Sequence, residues 1–351
     1  MQDINIKYPL KFHPVLKCTI WGGDKIVPFK GLLGSVSADG VQYSQMERVG
    51  EFWAVSTVPG YESVVSNGAL DGTSLVDIVS KYKGALLGEK NYRRFSDNFP
   101  LLVKFIDAAR DLSVQVHPDD AMAQEHHNCS GKTEMWYVID SQNEATLLTG
   151  FGKEMTYEEF CKLSGSEIIE TLQKCKIKSG DMFYLPAGTI HSIGAGAFIA
   201  EIQQSSDITY RIYDYDRRDR DGNLRELHTE LAAKAIDFSR TGSSCKVTYQ
   251  ESNAESNNVW DYAFNAVDGE HFSTSVVKLS GRGKFNKYVM DYSALDSFVI
   301  LTCVDGASVL EYDGGTMTFS KGDVILLPAL LKSLNFLIEE NTSCRFLETH
   351  I

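Results

Sequence analysis

Gly180-Asp-Met-Phe-Tyr-Leu-Pro-Ala-Gly-Thr-Ile-His191 decides the fold. The Gly-Asp pair makes a tight turn, Met-Phe-Tyr-Leu is an apolar run of strand length, and Pro186 stops further ladder pairing. The pattern returns once. Lys178-Ser-Gly-Asp-Met-Phe-Tyr-Leu-Pro-Ala187 aligns with Ser320-Lys-Gly-Asp-Val-Ile-Leu-Leu-Pro-Ala329 at Gly, Asp, Leu, Pro and Ala. A turn-into-strand unit repeated in this way predicts a mainly β protein built of two related β-barrels. Carried onward, the alignment sets Ser333 against His191, so the second copy lacks the ligand-type residue of the first.

Around these units the chain consists of short β-branched or aromatic runs between Gly, Asp and Asn, as antiparallel strands require. Strands are expected at 101–106, 112–117, 135–140, 145–149, 181–185, 197–203, 298–303, 308–312 and 324–327. Helical spacing of apolar residues is confined to 73–87, 154–175 and 224–239, which leaves no room for a large helical insertion domain. Residues 239–258 are rich in Ser, Thr, Gly and Asn and mark a boundary. The expected division is 1–240, holding the ligand-type residues, and 241–351, a degenerate copy without metal.

The 351 residues are 43% hydrophobic and carry a formal charge of −13. Such a surface repels nucleic acid and anionic lipid, and no apolar run approaches the ~18–20 residues of a membrane span. Met1-Gln-Asp-Ile-Asn-Ile6 has neither the basic start nor the apolar run of a signal peptide. Seven scattered cysteines without a Cys-x-x-Cys pair read as reduced thiols. The expectation is a cytoplasmic protein, monomeric or a weak homo-oligomer, with a small molecule as its partner. A phosphorylated metabolite would be repelled unless the site gathers its own cations.

Leu112-Ser-Val-Gln-Val-His-Pro118 alternates, placing Gln115 and His117 on one face and Leu112, Val114 and Val116 on the other. Glu134 follows in Gly131-Lys-Thr-Glu-Met-Trp-Tyr137, and His191 ends the opening motif. Two imidazoles, a carboxylate and an amide oxygen suit a divalent metal: zinc, iron, manganese or cobalt. Gln115 is the weakest donor of the four. His126-His127, in an expected polar loop, and His228 and His271, without partners at ligand spacing, receive no role.

Together with Thr19-Ile-Trp-Gly-Gly23 and Ser206-Asp-Ile-Thr-Tyr-Arg211, these segments form five ordered motifs over residues 19–211. In this the chain resembles the class I mannose-6-phosphate isomerases of the cupin superfamily, while the C-terminal part resembles only a plain cupin. The resemblance implies two cupin-like jelly-roll barrels and one zinc per chain, held by Gln115, His117, Glu134 and His191. It also implies Arg211 as a catalytic residue, and interconversion of mannose 6-phosphate and fructose 6-phosphate.

That reaction moves a proton between adjacent carbons through an enediol(ate), with negative charge growing on oxygen. It needs an electrophile at the oxygen, a base at the carbon and an anchor for the remote phosphate. Glu201, on the strand after the His191 turn, is the expected base, and Lys132 is its rival or a hydroxyl donor. Arg211 offers a permanently charged fork for the developing charge. Phosphate anchorage falls to Ser113, on the face of Gln115 and His117, and to Lys104, a cation in an otherwise apolar run. Trp21 is a candidate sugar-stacking wall. A cupin oxygenase with a two-His-one-carboxylate iron is a second reading, disfavoured by Gln115 and the surroundings of Arg211. A non-catalytic sugar-phosphate-binding cupin is a third, disfavoured by an intact ligand set beside a degenerate second copy.

Overall fold

The computed structural model describes residues 6–37, 40–142, 144–219, 221–248, 262–281 and 285–351. Among the described residues, the first part supplies eleven strands. These are β1 (Val15–Gly23), β2 (Val49–Val55), β3 (Leu101–Asp107), β4 (Val114–Val116), β5 (Glu134–Ser141), β6 (Thr146–Phe151), β7 (Leu172–Lys176), β8 (Met182–Leu185), β9 (His191–Ile193), β10 (Ala197–Gln204) and β11 (Tyr210–Tyr213). They form an antiparallel six-stranded sheet, β1-β2-β3-β10-β5-β8, and a five-stranded sheet, β11-β4-β9-β6-β7.

The inner faces of the two sheets meet. Ile106, Trp136, Val138 and Ile199 of the first share an apolar cluster with Leu147 and Ile193 of the second. The outer face of the five-stranded sheet presents Val114, Val116, Tyr210 and Ile212 to Phe160, Ile168 and Ala232, which come from the short helices Tyr157–Phe160, Gly165–Thr171 and Thr229–Ala235. The valines of β4 therefore turn outward to the helices and Gln115 turns inward. Leu112 parts from those valines and joins the inter-sheet cluster, because the strand is shorter than expected.

The outer face of the six-stranded sheet is also covered. Phe105, Tyr137 and Ala200 pack with Leu75, Ile78 and Val79 of the helix Leu75–Tyr82, and with Phe298, Ile300 and Leu347 of the C-terminal part. Burial on both faces leaves all eight residues of β10 inaccessible. This largest cluster spans residue 240, and Leu10 bonds Leu326 in both directions, at 2.8 and 3.0 Å.

The C-terminal strands are β12 (Tyr262–Asp268), β13 (Ser273–Ser280), β14 (Phe285–Asp291), β15 (Val299–Tyr312), β16 (Gly315–Ser320), β17 (Val324–Leu327), β18 (Ser333–Glu339) and β19 (Ser343–His350). They run in the order β12-β13-β19-β15-β18-β14, with β16 and β17 also on β15. The two strands expected at 298–303 and 308–312 are one, bent at an irregularity between Cys303 and Asp305. Two other expectations change. The helical pattern of 154–175 ends early, with Leu172–Lys176 paired to β6 as a strand. A helix unexpected from the sequence runs Asp120–His127, capped by the Asp119 side chain, which accepts from Met122 N. Among the described residues no helix exceeds eight residues, and none is long and apolar enough to cross a membrane.

The sequence repeat is a structural one. Val138 N donates to Asp181 O, and Gly180 N to Val138 O. In the second copy Cys303 N donates to Asp323 O, and Gly322 N to Cys303 O. Asp181 and Asp323 each accept from the backbone N three residues earlier, at 3.0 Å. Gly180 and Gly322 have φ of +90° and +86°, a left-handed turn that glycine adopts without steric cost. Equivalent registers, Glu134 opposite Leu185 and Val299 opposite Leu327, put Val299 where the first copy has Glu134.

Candidate metal centre and active site

Arg211, Gln115 and His191 are direct cross-strand neighbours on β11, β4 and β9. On the opposing sheet Trp53, Lys104, Glu201 and Trp136 form a second row across β2, β3, β10 and β5. Direct partners in an antiparallel pair share a face, so each row projects as a unit. Glu134 opens β5, His191 opens β9 and His117 follows β4, which brings three strand ends together.

Their ligand atoms lie within 4.8 Å of one another, all buried. His117 Nε2 is 3.4 Å from Glu134 Oε2, and His191 Nε2 is 3.3 Å from Glu134 Oε1. Each Nδ1 sits 2.8 Å from a backbone carbonyl, Ile208 O for His117 and Thr189 O for His191. A carbonyl only accepts, so Nδ1 carries the proton and each Nε2 directs a lone pair at the carboxylate, as in metal-ligating histidines. Burial, with the Lys132 ammonium adding, lowers His117 to about 3 and lowers His191 in the same direction. Lone pairs facing a carboxylate are stable only with a shared cation between them. Glu134 Oε1 is buried without a hydrogen-bond donor. The donor set thus fits a divalent metal.

Gln115 adds a fourth polar group. Its Nε2 is 3.3 Å from His191 Nε2, and its Oε1 accepts from Ser113 Oγ at 3.4 Å. A half-turn of the amide brings the oxygen beside His191.

Lys132 is the cation already at hand. Its Nζ stands 2.5 Å from Glu134 Oε2, 2.9 Å from His117 Nε2 and 3.8 Å from Glu201 Oε1. Gly131 lets the chain turn there, since a Cβ would come within 2.6 Å of the Asp119–Asp120 backbone. Burial favours neutral Lys132, but Glu134 and Glu201 outweigh it and raise its pKa. Burial likewise opposes ionised Glu134, yet the Lys132 ammonium beside it holds its carboxyl well below the usual range. Glu201 goes the other way, raised by burial and then by the charge of Glu134. Its Oε2 accepts from Trp136 Nε1 at 3.1 Å. Its Oε1 stands 3.5 Å from Lys104 Nζ, an ion pair without hydrogen-bond geometry.

A cavity of about 440 Å³ meets this group at Lys132, with Lys17, Lys104 and Arg211 also on its wall against Glu51 and Asp207. A chain of net charge −13 has gathered four cations at one opening. Glu201 lies behind Lys104 and Lys132, off the wall. Ser113 is buried and spends its hydroxyl on Gln115. Trp21 differs from expectation. It is packed in the inter-sheet cluster, against the bare face of Gly50, and the indole on the cavity wall is Trp53.

Arg211 donates from Nη1 to Glu226 O at 2.9 Å and keeps its Nε buried without a partner. Asp214, a sequence neighbour that could have claimed it, binds Arg217 and Arg225 instead. Two histidines given no role stand on the wall as well: His127 Nε2 meets Tyr210 OH at 2.8 Å, and His228 Nδ1 accepts from Arg211 N at 3.2 Å. The alternation of Glu51 and Trp53 in Val49–Val55 was the sequence signal for the missed wall of β2; the histidines had none.

A buried His–Glu–His group between facing antiparallel sheets, beside a repeated Gly-Asp turn, defines a cupin with a metal-type site. The chain matches the family model for the type I phosphomannose isomerase catalytic domain over residues 10–169 and that for the mannose-6-phosphate isomerase cupin domain over 263–337. It is 34% identical to mannose-6-phosphate isomerase ManA of Bacillus subtilis (strain 168), over 91% of this chain and 93% of that one. It is 32% identical to the mannose-6-phosphate isomerase of Streptococcus mutans, over 93% and 95%. The crystal structure of the Bacillus subtilis mannose 6-phosphate isomerase superposes with a TM-score of 0.81 at 32% identity, covering 98% of this chain and 99% of that one. The chain belongs to the type I phosphomannose isomerase family, and its enzyme class is aldose–ketose isomerase.

Proposed function

We propose that this chain interconverts mannose 6-phosphate and fructose 6-phosphate through an enediol(ate), with one zinc held by His117, Glu134, His191 and the Gln115 amide oxygen. The observation that carries this reading is the pair of histidine lone pairs aimed at one buried carboxylate beside a cavity walled by four cations. When bound, zinc would act as a Lewis acid and template at the reacting oxygens.

The protein's own groups supply the rest. Arg211 and Lys132 present fixed positive charge where negative charge develops. Glu201, with a carboxyl raised toward neutrality, exchanges the carbon-bound proton through Lys132, whose ammonium is 3.8 Å away and reaches the cavity. Burial keeps water from the relay. Lys104 and Ser113 belong to this reading as groups that set the charge of Glu201 and the orientation of Gln115.

The N-terminal part, 1–240, is proposed as the catalytic barrel and 241–351 as a second barrel without metal, with no helical insertion domain. Free thiols at all seven cysteines support a reducing, cytoplasmic setting. The test is a coupled assay on mannose 6-phosphate after chelation and zinc add-back. Turnover lost on chelation and restored by zinc supports the reading; turnover indifferent to chelation overturns the metal role. A Glu201→Gln enzyme that still exchanges the C2 hydrogen with solvent would transfer the base role to Lys132.

A further inference from the structure

Lys17 is the one cavity cation whose neighbours suggest an unassigned task. Arg211 binds a backbone carbonyl, and Lys104 and Lys132 stand against Glu201 and Glu134. Lys17 Nζ is 4.0 Å from the ring centroid of Trp53 and 4.1 Å from that of Tyr61. Among the described residues it has no ion pair. Glu51, its direct neighbour across β1 and β2, accepts instead from Trp53 Nε1 at 2.5 Å. The face of an indole attracts an ammonium without neutralising it. Lys104 Nζ, 4.6 Å from the same Trp53 ring, shares this platform.

We propose that Lys17, seated on Trp53 and Tyr61, captures the phosphate of the substrate. Trp53 is its positioning residue. The inference rests on the reading of the cavity as a sugar-phosphate site and names its anionic end. Two observations place that end here. Lys17 lies on the outermost strand of the six-stranded sheet, two strands beyond Lys104 and four from Glu134, so the phosphate is remote from the reacting carbons. Its charge is held half-buried by rings, and among the described residues no carboxylate is ion-paired to it, so an arriving dianion has no ion-pair partner to displace. Capture by Lys17 spends binding energy far from the chemistry, where it raises affinity and orients the chain for the groups at the other end.

The test is Lys17→Met, with Lys17→Arg as the variant that keeps the charge. With metal-loaded enzyme, Lys17→Met should raise KM for mannose 6-phosphate by roughly tenfold or more, the loss of one charge-assisted contact, with a much smaller change in kcat. Lys17→Arg should recover most of the loss. Independently, inorganic phosphate titrated calorimetrically into metal-free protein should bind the wild type and Lys17→Arg, and bind Lys17→Met about tenfold more weakly. Lys17→Met with unchanged KM and unchanged phosphate affinity would overturn the assignment. A wild type that binds phosphate through Lys17 yet fails to isomerise mannose 6-phosphate would leave this inference standing and sink the proposed function.

Discussion

The same turn-and-strand unit occurs twice in this chain and is filled in opposite ways. In the first copy Glu134 and His191 face an interior that also holds His117, Lys132 and Glu201, all buried. In the second, Val299 takes the place of Glu134, Ser333, aligned with His191, is exposed, and the interior is closed by Phe319, Phe336 and Phe346, with the last two rings stacked at 4.7 Å. The backbone bonds of the two turns match atom for atom. The scaffold therefore tolerates either content, and the difference in function lies in a few inward positions. A polar interior is stable only as a complete set, because each buried charge there depends on the next.

Breaking the set should produce the largest effect. His191→Ala removes one of the two lone pairs aimed at Glu134, and should abolish stoichiometric metal binding and lower turnover by on the order of a thousandfold or more. Metal analysis beside the coupled assay checks both, and full zinc content would refute the site. Lys132→Met strips Glu134 of its ammonium. Metal-free protein should then lose about 3–5 kcal/mol of stability, and zinc should recover much of it; denaturant melts with and without metal measure the difference. The converse experiment is Val299→Glu in the second copy. Among the described residues that interior has no buried cation to meet a carboxylate, so unfolding should become easier by about 3–5 kcal/mol whether or not zinc is present.

Smaller changes sharpen the comparison. Arg211→Lys keeps a charge but loses the planar fork, and should depress turnover by about a hundredfold while shifting the melting temperature by only a few degrees; equal turnover would remove Arg211 from the chemistry. The pH response is gentler. His117 and His191 have folded-state pKa values below their unfolded ones, so the unfolded chain binds more protons and stability rises with pH. In metal-free protein, the His117 contribution should be complete above about 6.5 and fall toward about 3, by up to about 1.4 kcal/mol per pH unit, with His191 acting in the same direction. Melting His191→Ala and His117→Ala alongside should show shallower slopes, and an unchanged slope in both would exclude these imidazoles as its source.

Much of this was legible in the sequence because strand alternation is a short-range property. Alternation set Gln115 and His117 on one face, the resemblance in motif context joined Glu134 and His191 to them, and the Gly-Asp repeat reported the turn geometry that the two φ values show. What stayed hidden depended on partners far along the chain. Trp21 and Trp53 both sit in apolar surroundings, and only the packing against Gly50 shows that Trp21 is core. Ser113 shares the expected face, but β4 is too short to carry its hydroxyl to the cavity. The helix Asp120–His127 has weak apolar periodicity, so its cap and the placement of His127 could not be read. The Arg211–His228 contact joins a strand to a loop and leaves no local pattern.

The brevity of β4 has a consequence for how errors in folding are expressed. Its middle residue alone faces inward, flanked by Arg211 and His191, while the valines on either side pack against helices. Sliding that segment by one position would show an aliphatic side chain to the interior and press an amide into the outer apolar layer. Metal capture, charge placement and helix docking would then fail in a single event, so a misregistered copy would have no means of persisting as a partly working scavenger of metal.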